Sequence, residues 1–397
     1  DEYRMLDELD SLARKSLLVV DRERGRTRYT MLETIRQFAE EQLVGVDEHE
    51  DVRSRHARYF ARGVAHNFEL WASADQGQAY EWYDSELANL RAAFRSALQA
   101  GDLDSAATIA GKASYPAAFH NWFEPAEWCV ELIETPDFDQ HRLLKWVYVG
   151  AAQLTYVGSA AQAVSSAQAG LELDDDRYER VPHEIERCSL GIATMFNGAL
   201  DRWVSLAGDI SKSADDDLML GACSYVWMLS LTGDHDQATH LVDELLERVR
   251  SIECPLSVAY AHAAAGQAFS RSDPEPHRAL MAFETAVHVA GASRLWMFEA
   301  VYRREAARVE ATHGDPHTGL ESLDRIIAGF HRAGDTSNLI PTLGYLVLTL
   351  ARLERLDSAA ILLGAVTQHP AATMVPELPS IGAHLEDRLG TEVDPTD

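Results

Sequence analysis

Apolar residues along most of this chain recur three and four positions apart, the spacing that gathers them on one face of an α-helix. From residue 50 onward this pattern runs in segments of about 12 to 20 residues, parted by clusters of Gly, Pro and Asp. The start of the chain differs. Leu17, Leu18, Val19 and Val20 form a short apolar run, Asp21 to Thr27 a polar turn, and Arg28 to Leu32 a second extended run. From Thr34 to Leu43 helical spacing resumes through Ile35, Phe38, Ala39 and Leu43. The predicted order is helix, hairpin, helix, the layout of the back half of a winged helix. A lone two-stranded hairpin is marginal in water, so it must lean on a neighbour. With the front half missing, the chain is expected to be cut from a longer protein.

Beyond residue 50 a turn followed five positions later by a small residue recurs. The copies run Gly101 to Ala106, Gly158 to Ala163, Gly233 to Ala238, Pro274 to Ala279, Gly314 to Gly319 and Arg355 to Ala360, with a weaker one at Gly198 to Trp203. Their period is roughly 40 residues, a helix–turn–helix unit slightly longer than a tetratricopeptide repeat. The small residue lets the second helix approach the first just after the turn. Asp102, Asp234, Asp315 and Asp357 stand where they would cap that second helix. One pair cannot bury both its faces, so pairs stack. The first interval is long and holds Tyr115, Phe119, Trp122, Phe123 and Trp128, with Pro116 and Pro125 expected to break its helices. The expected fold is all-α, a tetratricopeptide-like superhelix of right-handed sense with a partial winged helix at its start. Residues 1–46 form that start, 47–370 about seven helical pairs, and 371–397 a capping helix (Ile381 to Leu389) and a tail.

Charge changes the picture more than composition does. A net charge of −28 argues against binding a phosphate backbone. Only Arg22, Arg24, Arg26 and Arg28 gather into a basic stripe on the hairpin, where a salt-bridging face within the protein is the alternative to a nucleic-acid contact. No apolar run is long enough to cross a bilayer, and the first residues lack the layout of a signal peptide. Four scattered cysteines do not make a disulfide scaffold. A cytoplasmic location is expected.

Several stretches have the wording of a known family. Lys15-Ser16-Leu17-Leu18 and Arg28-Tyr29-Thr30-Met31-Leu32-Glu33-Thr34-Ile35-Arg36-Gln37-Phe38-Ala39 resemble the winged helix that follows the nucleotide-binding module in actinobacterial signal-transduction (STAND-type) ATPases. The resemblance continues in Arg55-His56-Ala57-Arg58-Tyr59-Phe60, in Glu86 to Phe94, in Ala100-Gly101-Asp102 and in Ala359 to Ala365. It covers about a third of the chain. These regulators carry a LuxR-type DNA-binding end, and some an adenylate cyclase domain. The resemblance implies that the winged helix packs within the protein rather than reading DNA. It further implies that ATP and magnesium bind in an upstream domain outside this chain, and that the repeats receive an effector or a protein or peptide partner.

Motifs for chemistry are few. Gly111-Lys112-Ala113 lacks the glycine spacing and the Ser or Thr of a phosphate-binding loop. His313 and His317 fall in a turn, and His235 and His240 point apart, so neither pair reads as a metal site. Asp174-Asp175-Asp176 and Asp215-Asp216-Asp217 flank predicted helices, where Asp caps. The central aromatics Trp227, Tyr260, Trp296 and Tyr302, with Glu299, Arg303 and Arg304 beside them, suit either a concave ligand groove or inter-helix core, and spacing does not separate the two. Two functions follow. One is a sensor and interaction module without catalysis, acting on its own nucleotide-binding domain. The other is an all-helical α/α-solenoid enzyme with an acidic, histidine-bearing groove.

Overall fold

The computed structural model describes residues 2–22, 27–45, 48–272 and 276–390. It is all-α apart from one hairpin. Helix α1 (Glu2–Arg14) leads into β1 (Leu18–Asp21) and β2 (Arg28–Met31), which pair antiparallel with Leu18 opposite Met31 and Asp21 opposite Arg28. Helix α2 (Glu33–Gly45) follows. This opening segment has almost no core of its own, since Leu18 is its one buried apolar residue among those described. It is tied to the body by polar links. Arg28 Nη1 donates to Glu86 at 2.9 Å and Arg53 pairs with Glu40. Arg28 therefore takes the salt-bridging alternative. Arg22 is exposed, and Arg24 and Arg26 lie outside the described residues.

The body is a run of antiparallel helices, each packed on the next: α3 (His49–Trp71), α4 (Gln76–Gln99), α5 (Leu103–Phe119), α6 (Glu124–Ile133), α7 (Leu144–Ala151), a 3-10 turn (Ala152–Val157) and α8 (Ala160–Glu172). Then come α9 (His183–Phe196), α10 (Leu200–Ser211), α11 (Leu220–Thr232), α12 (His235–Val249), α13 (Pro255–Ser272) and α14 (Pro276–Ala292). The last are α15 (Trp296–His313), α16 (Pro316–Ala333), α17 (Thr336–Arg352), α18 (Leu356–Val366) and α19 (Leu378–Leu389). The long first interval holds three helices, α5, α6 and α7, where the next two intervals hold two. Its aromatics are core, with Trp128 stacked on Phe94 at 4.8 Å.

At Gly101, Gly158, Gly198 and Gly233 the turn signal sits where the repeat predicts, while Pro274 lies outside the described residues. These four glycines all have positive φ, which glycine adopts without strain. Ala106, Ala163, Ala238, Ala279 and Gly319 are buried against the preceding helix. Asp102, Asp234 and Asp315 accept hydrogen bonds from Ser105, Gln237 and His317 amides. The last repeat departs from expectation. Glu354, at φ 55°, takes the glycine's place, so the buried small residue is Ala359, not Ala360. Helix α18 then starts after Arg355, and Asp357 stands within its first turn rather than capping it. Pro116 does not break α5. It lies inside that helix, where its missing N–H forfeits one bond to the carbonyl four residues back without ending the helix. Pro125 begins α6 instead of ending a helix, at a position where a missing N–H costs nothing.

The superhelix does not leave its concave side open. Phe119 of α5 meets Phe298 of α15 at 4.8 Å between ring centres. His120 Nδ1 lies 2.9 Å from the Arg294 carbonyl, and Arg294 pairs with Asp84 at 3.0 Å and Glu81 at 3.3 Å. Ser337 of α17 donates to the Thr155 carbonyl, and Gln76 Nε2 lies 3.8 Å from Cys254 Sγ. Early and late repeats thus meet across the centre.

Candidate functional site

The closure divides the residues singled out from the sequence into two groups. Alternate helices α11, α13 and α15 face the centre, and Trp227, Tyr260 and Tyr302 project from them into a ring cluster. Trp227 lies 6.2 Å from Tyr260 and 6.4 Å from Tyr302, while Phe298 stacks on Tyr302 at 5.6 Å. Tyr302 is fully buried and Trp227 nearly so. Trp227 and Tyr260 line an interior chamber of about 80 Å³, room for a few waters or a very small ligand. Met195, Met228, Met297 and Met374 share its wall, and methionine adapts its shape readily. Tyr260 Oη and Ser224 Oγ are 2.8 Å apart, and the Tyr302 hydroxyl has no partner. Burial pushes both phenols up from their ordinary pKa, so they stay neutral.

Trp296, Glu299 and Arg303 lie three and four residues apart on the other face of α15. They open onto a surface groove of about 1170 Å³ between α14 and α16. Trp296 is 39% exposed. Arg303 clamps Glu299 Oε1 with two bonds, at 3.0 and 2.6 Å. Val287, Ala300, Ile326 and Phe330 supply apolar floor, and Glu284, His288, Arg325 and Arg332 a mixed-charge rim. An exposed indole beside such a floor and rim suits an amphipathic peptide or helix.

The acidic runs do not form a catalytic pair. Asp216 accepts from the Gly221 and Ala222 amides at 2.8 and 2.9 Å, and Glu184 from those of Leu218 and Leu220, so both cap α11. Burial raises the Glu184 pKa, and the neighbouring Asp216 raises it further. Asp176 is fully exposed in its loop. No group of three or more metal-ligating side chains occurs among the described residues. The four cysteines are buried and free, and no described helix is long and apolar enough to cross a membrane.

Sequence reasoning missed a buried charged cluster. Arg304, Glu305 and Arg308 on α15 are joined by Arg271, Tyr345 and Glu377, all inside the late repeats. The signal was present in Arg304, Glu305 and Arg308, since 304 and 308 fall on one helix face with the apolar Val301 and Ala311 near them.

No known family profile matches the chain. It is 27% identical, over 67% of its length, to a provisionally named HTH-type transcriptional regulator of Mycobacterium tuberculosis and equally to its Mycobacterium bovis counterpart. The chain spans about a third (32%) of the length of these relatives. A crystal structure of a Rap protein complexed with competence and sporulation factor superimposes with a TM-score of 0.48, 14% identity, and coverage of 83% of this chain and 99% of that one.

Proposed function

We propose that this chain is the sensor and interaction module of a multidomain transcriptional regulator of the STAND and LuxR type. In this proposal the groove at Trp296 takes a protein or peptide partner. The helix–hairpin–helix segment, as the remnant of a winged helix, passes the response to the adjoining nucleotide-binding domain, where ATP and magnesium would be held. No catalysis is assigned to this chain, and the regulator works in the cytoplasm.

The observation that carries the proposal is a contrast between the two ends of the structure. The body is closed and well packed, whereas the opening segment shows Tyr3, Met5, Leu6, Val19, Met31, Leu32, Phe38 and Val44 to solvent. Exposed apolar residues gathered in so short a segment suit a contact surface. Similarity to regulators about three times as long supports the same reading.

The test is a transcriptional reporter driven by the full-length gene product. Trp296→Ala with Arg303→Ala is expected to abolish the response to the natural signal while the thermal unfolding of this module is unchanged. Phe38→Glu is expected to uncouple the response even though partner binding persists. Full response from both variants would overturn the proposal.

A further inference from the structure

Where α13, α15 and α17 end, α19 supplies part of the wall of a second, open cleft of about 760 Å³. Arg271, Arg308, Tyr345 and Glu377 line it, with Arg304 and Glu305 buried beside them. Arg308 Nε donates to Glu305 Oε2 at 3.1 Å and Nη2 to Ser270 Oγ at 2.7 Å. Arg304 Nε and Nη2 both reach Glu305 Oε1, at 3.1 and 2.9 Å, and the Tyr345 hydroxyl donates to Glu305 Oε2 at 3.1 Å. Arg271 Nη1 holds Glu377 Oε1 at 2.8 Å. Arg304, Glu305 and Arg308 are almost fully buried, and the Arg271 side chain is 9% exposed.

The balance of charge and hydrogen bonds in this cluster is incomplete. Among the described residues of the buried cluster, Arg271, Arg304 and Arg308 face Glu305 and Glu377. Glu354, also on the cleft wall, pairs outward with Arg388 at 2.9 Å. Arg271 Nε and Nη2, Arg304 Nη1 and Gln267 Nε2 have no partner. A buried donor without a partner costs on the order of 1 to 3 kcal/mol, and more when charged. The unused Nε–Nη2 edge of Arg271 is the planar fork that matches two oxygens of a carboxylate or phosphate. Glu377 Oε2 is also unpaired, so Glu377 competes for the arginine and sets how tightly a ligand is held.

We propose that this cleft binds a small oxyanion, a carboxylate or phosphate group of a small molecule, on the Nε–Nη2 edge of Arg271 with Arg308 behind it. The site is separate from the Trp296 groove and does not depend on what that groove takes.

The experiment is thermal unfolding of the 397-residue chain titrated with sodium phosphate and, separately, sodium succinate, against sodium chloride at matched ionic strength. At least one of the two anions is expected to give a saturable rise in Tm, and the one that does identifies the ligand chemistry. Arg271→Met is expected to lose the effect. Arg271→Lys keeps a charge for Glu377 but removes the fork, and is expected to weaken apparent affinity tenfold or more. Glu377→Gln frees the arginine and is expected to strengthen it several-fold. Arg303→Met, in the other groove, is expected to behave as the parent chain. Absence of a saturable rise with either anion, or a rise unaltered in Arg271→Lys, overturns the proposal.

Discussion

At the scale of single residues, the third hairpin shows how one substitution is answered by another. Its position five past the turn holds Trp203, where other repeats place alanine or glycine. The indole fits because Gly191 faces it from α9. A Cβ on Gly191 would sit 1.8 Å from Trp203 Cε3. Small and large have exchanged sides of the hairpin. Gly191→Ala is therefore expected to destabilise by about 1 to 3 kcal/mol through overpacking, and Trp203→Ala by about 3 to 5 kcal/mol through a cavity. Because the two side chains share one space, the double variant should lose less than the sum of the single losses. Urea denaturation of the four proteins checks this. Additive losses would show that the pair is uncoupled. The weak copy of the repeat was visible in the sequence, but its compensation was not, because Gly191 and Trp203 become neighbours only when the hairpin folds.

At the scale of elements, two inward-facing helices begin on carboxyl groups that burial holds above their ordinary range. Asp335, at the start of α17, accepts from the Asn338 amide at 3.0 Å and its side chain at 2.8 Å. Burial pushes its pKa up to about 7, although the Asn338 bonds and the charge of Arg304 pull the other way. The unfolded chain releases this proton near pH 3.9, so between about 4 and 7 the folded state binds the extra proton. Stability from this group is complete below about pH 4 and is lost as pH rises through about 7, by at most about 1.4 kcal/mol per unit. Asp335→Asn is expected to remove that slope, measured as Tm against pH. An unchanged slope would assign it elsewhere, Glu184 being the next group with a raised pKa. For Glu184 itself, Glu184→Ala is expected to cost about 1 to 3 kcal/mol by stranding the Leu218 and Leu220 amides, whereas Glu184→Gln should cost less. Equal losses would mean that the cap bonds contribute nothing. Caps at Asp102, Asp234 and Asp315 were legible because they follow a turn signal. On α11 the share of Asp216 was legible in its acidic run, but that of Glu184 was not, since it reaches the helix from 34 positions away.

At the scale of the molecule, the all-α architecture, the hairpin at the start and the repeat spacing could be read from the chain, because each rests on local periodicity. The meeting of early and late repeats could not, because it pairs residues as distant as Thr155 and Ser337. For the same reason the aromatic residues divided between chamber and groove in a way that spacing alone does not reveal. Solenoids unfold in parts, since each repeat touches only its neighbours. Here Phe298→Ala is expected to lower hydrogen-exchange protection in α5 as well as in α15, because Phe298 packs on Phe119. Loss confined to α15 would show that the two halves are held independently.

An open coil can flex by small degrees, each turn yielding a little. A coil whose early and late windings are pinned together must release those pins before it can open. Arg294, gripping Asp84 and Glu81 across the centre, is one such pin, with Phe298 on Phe119 and Ser337 on Thr155 as others. Whatever bends this protein therefore has to part these contacts together.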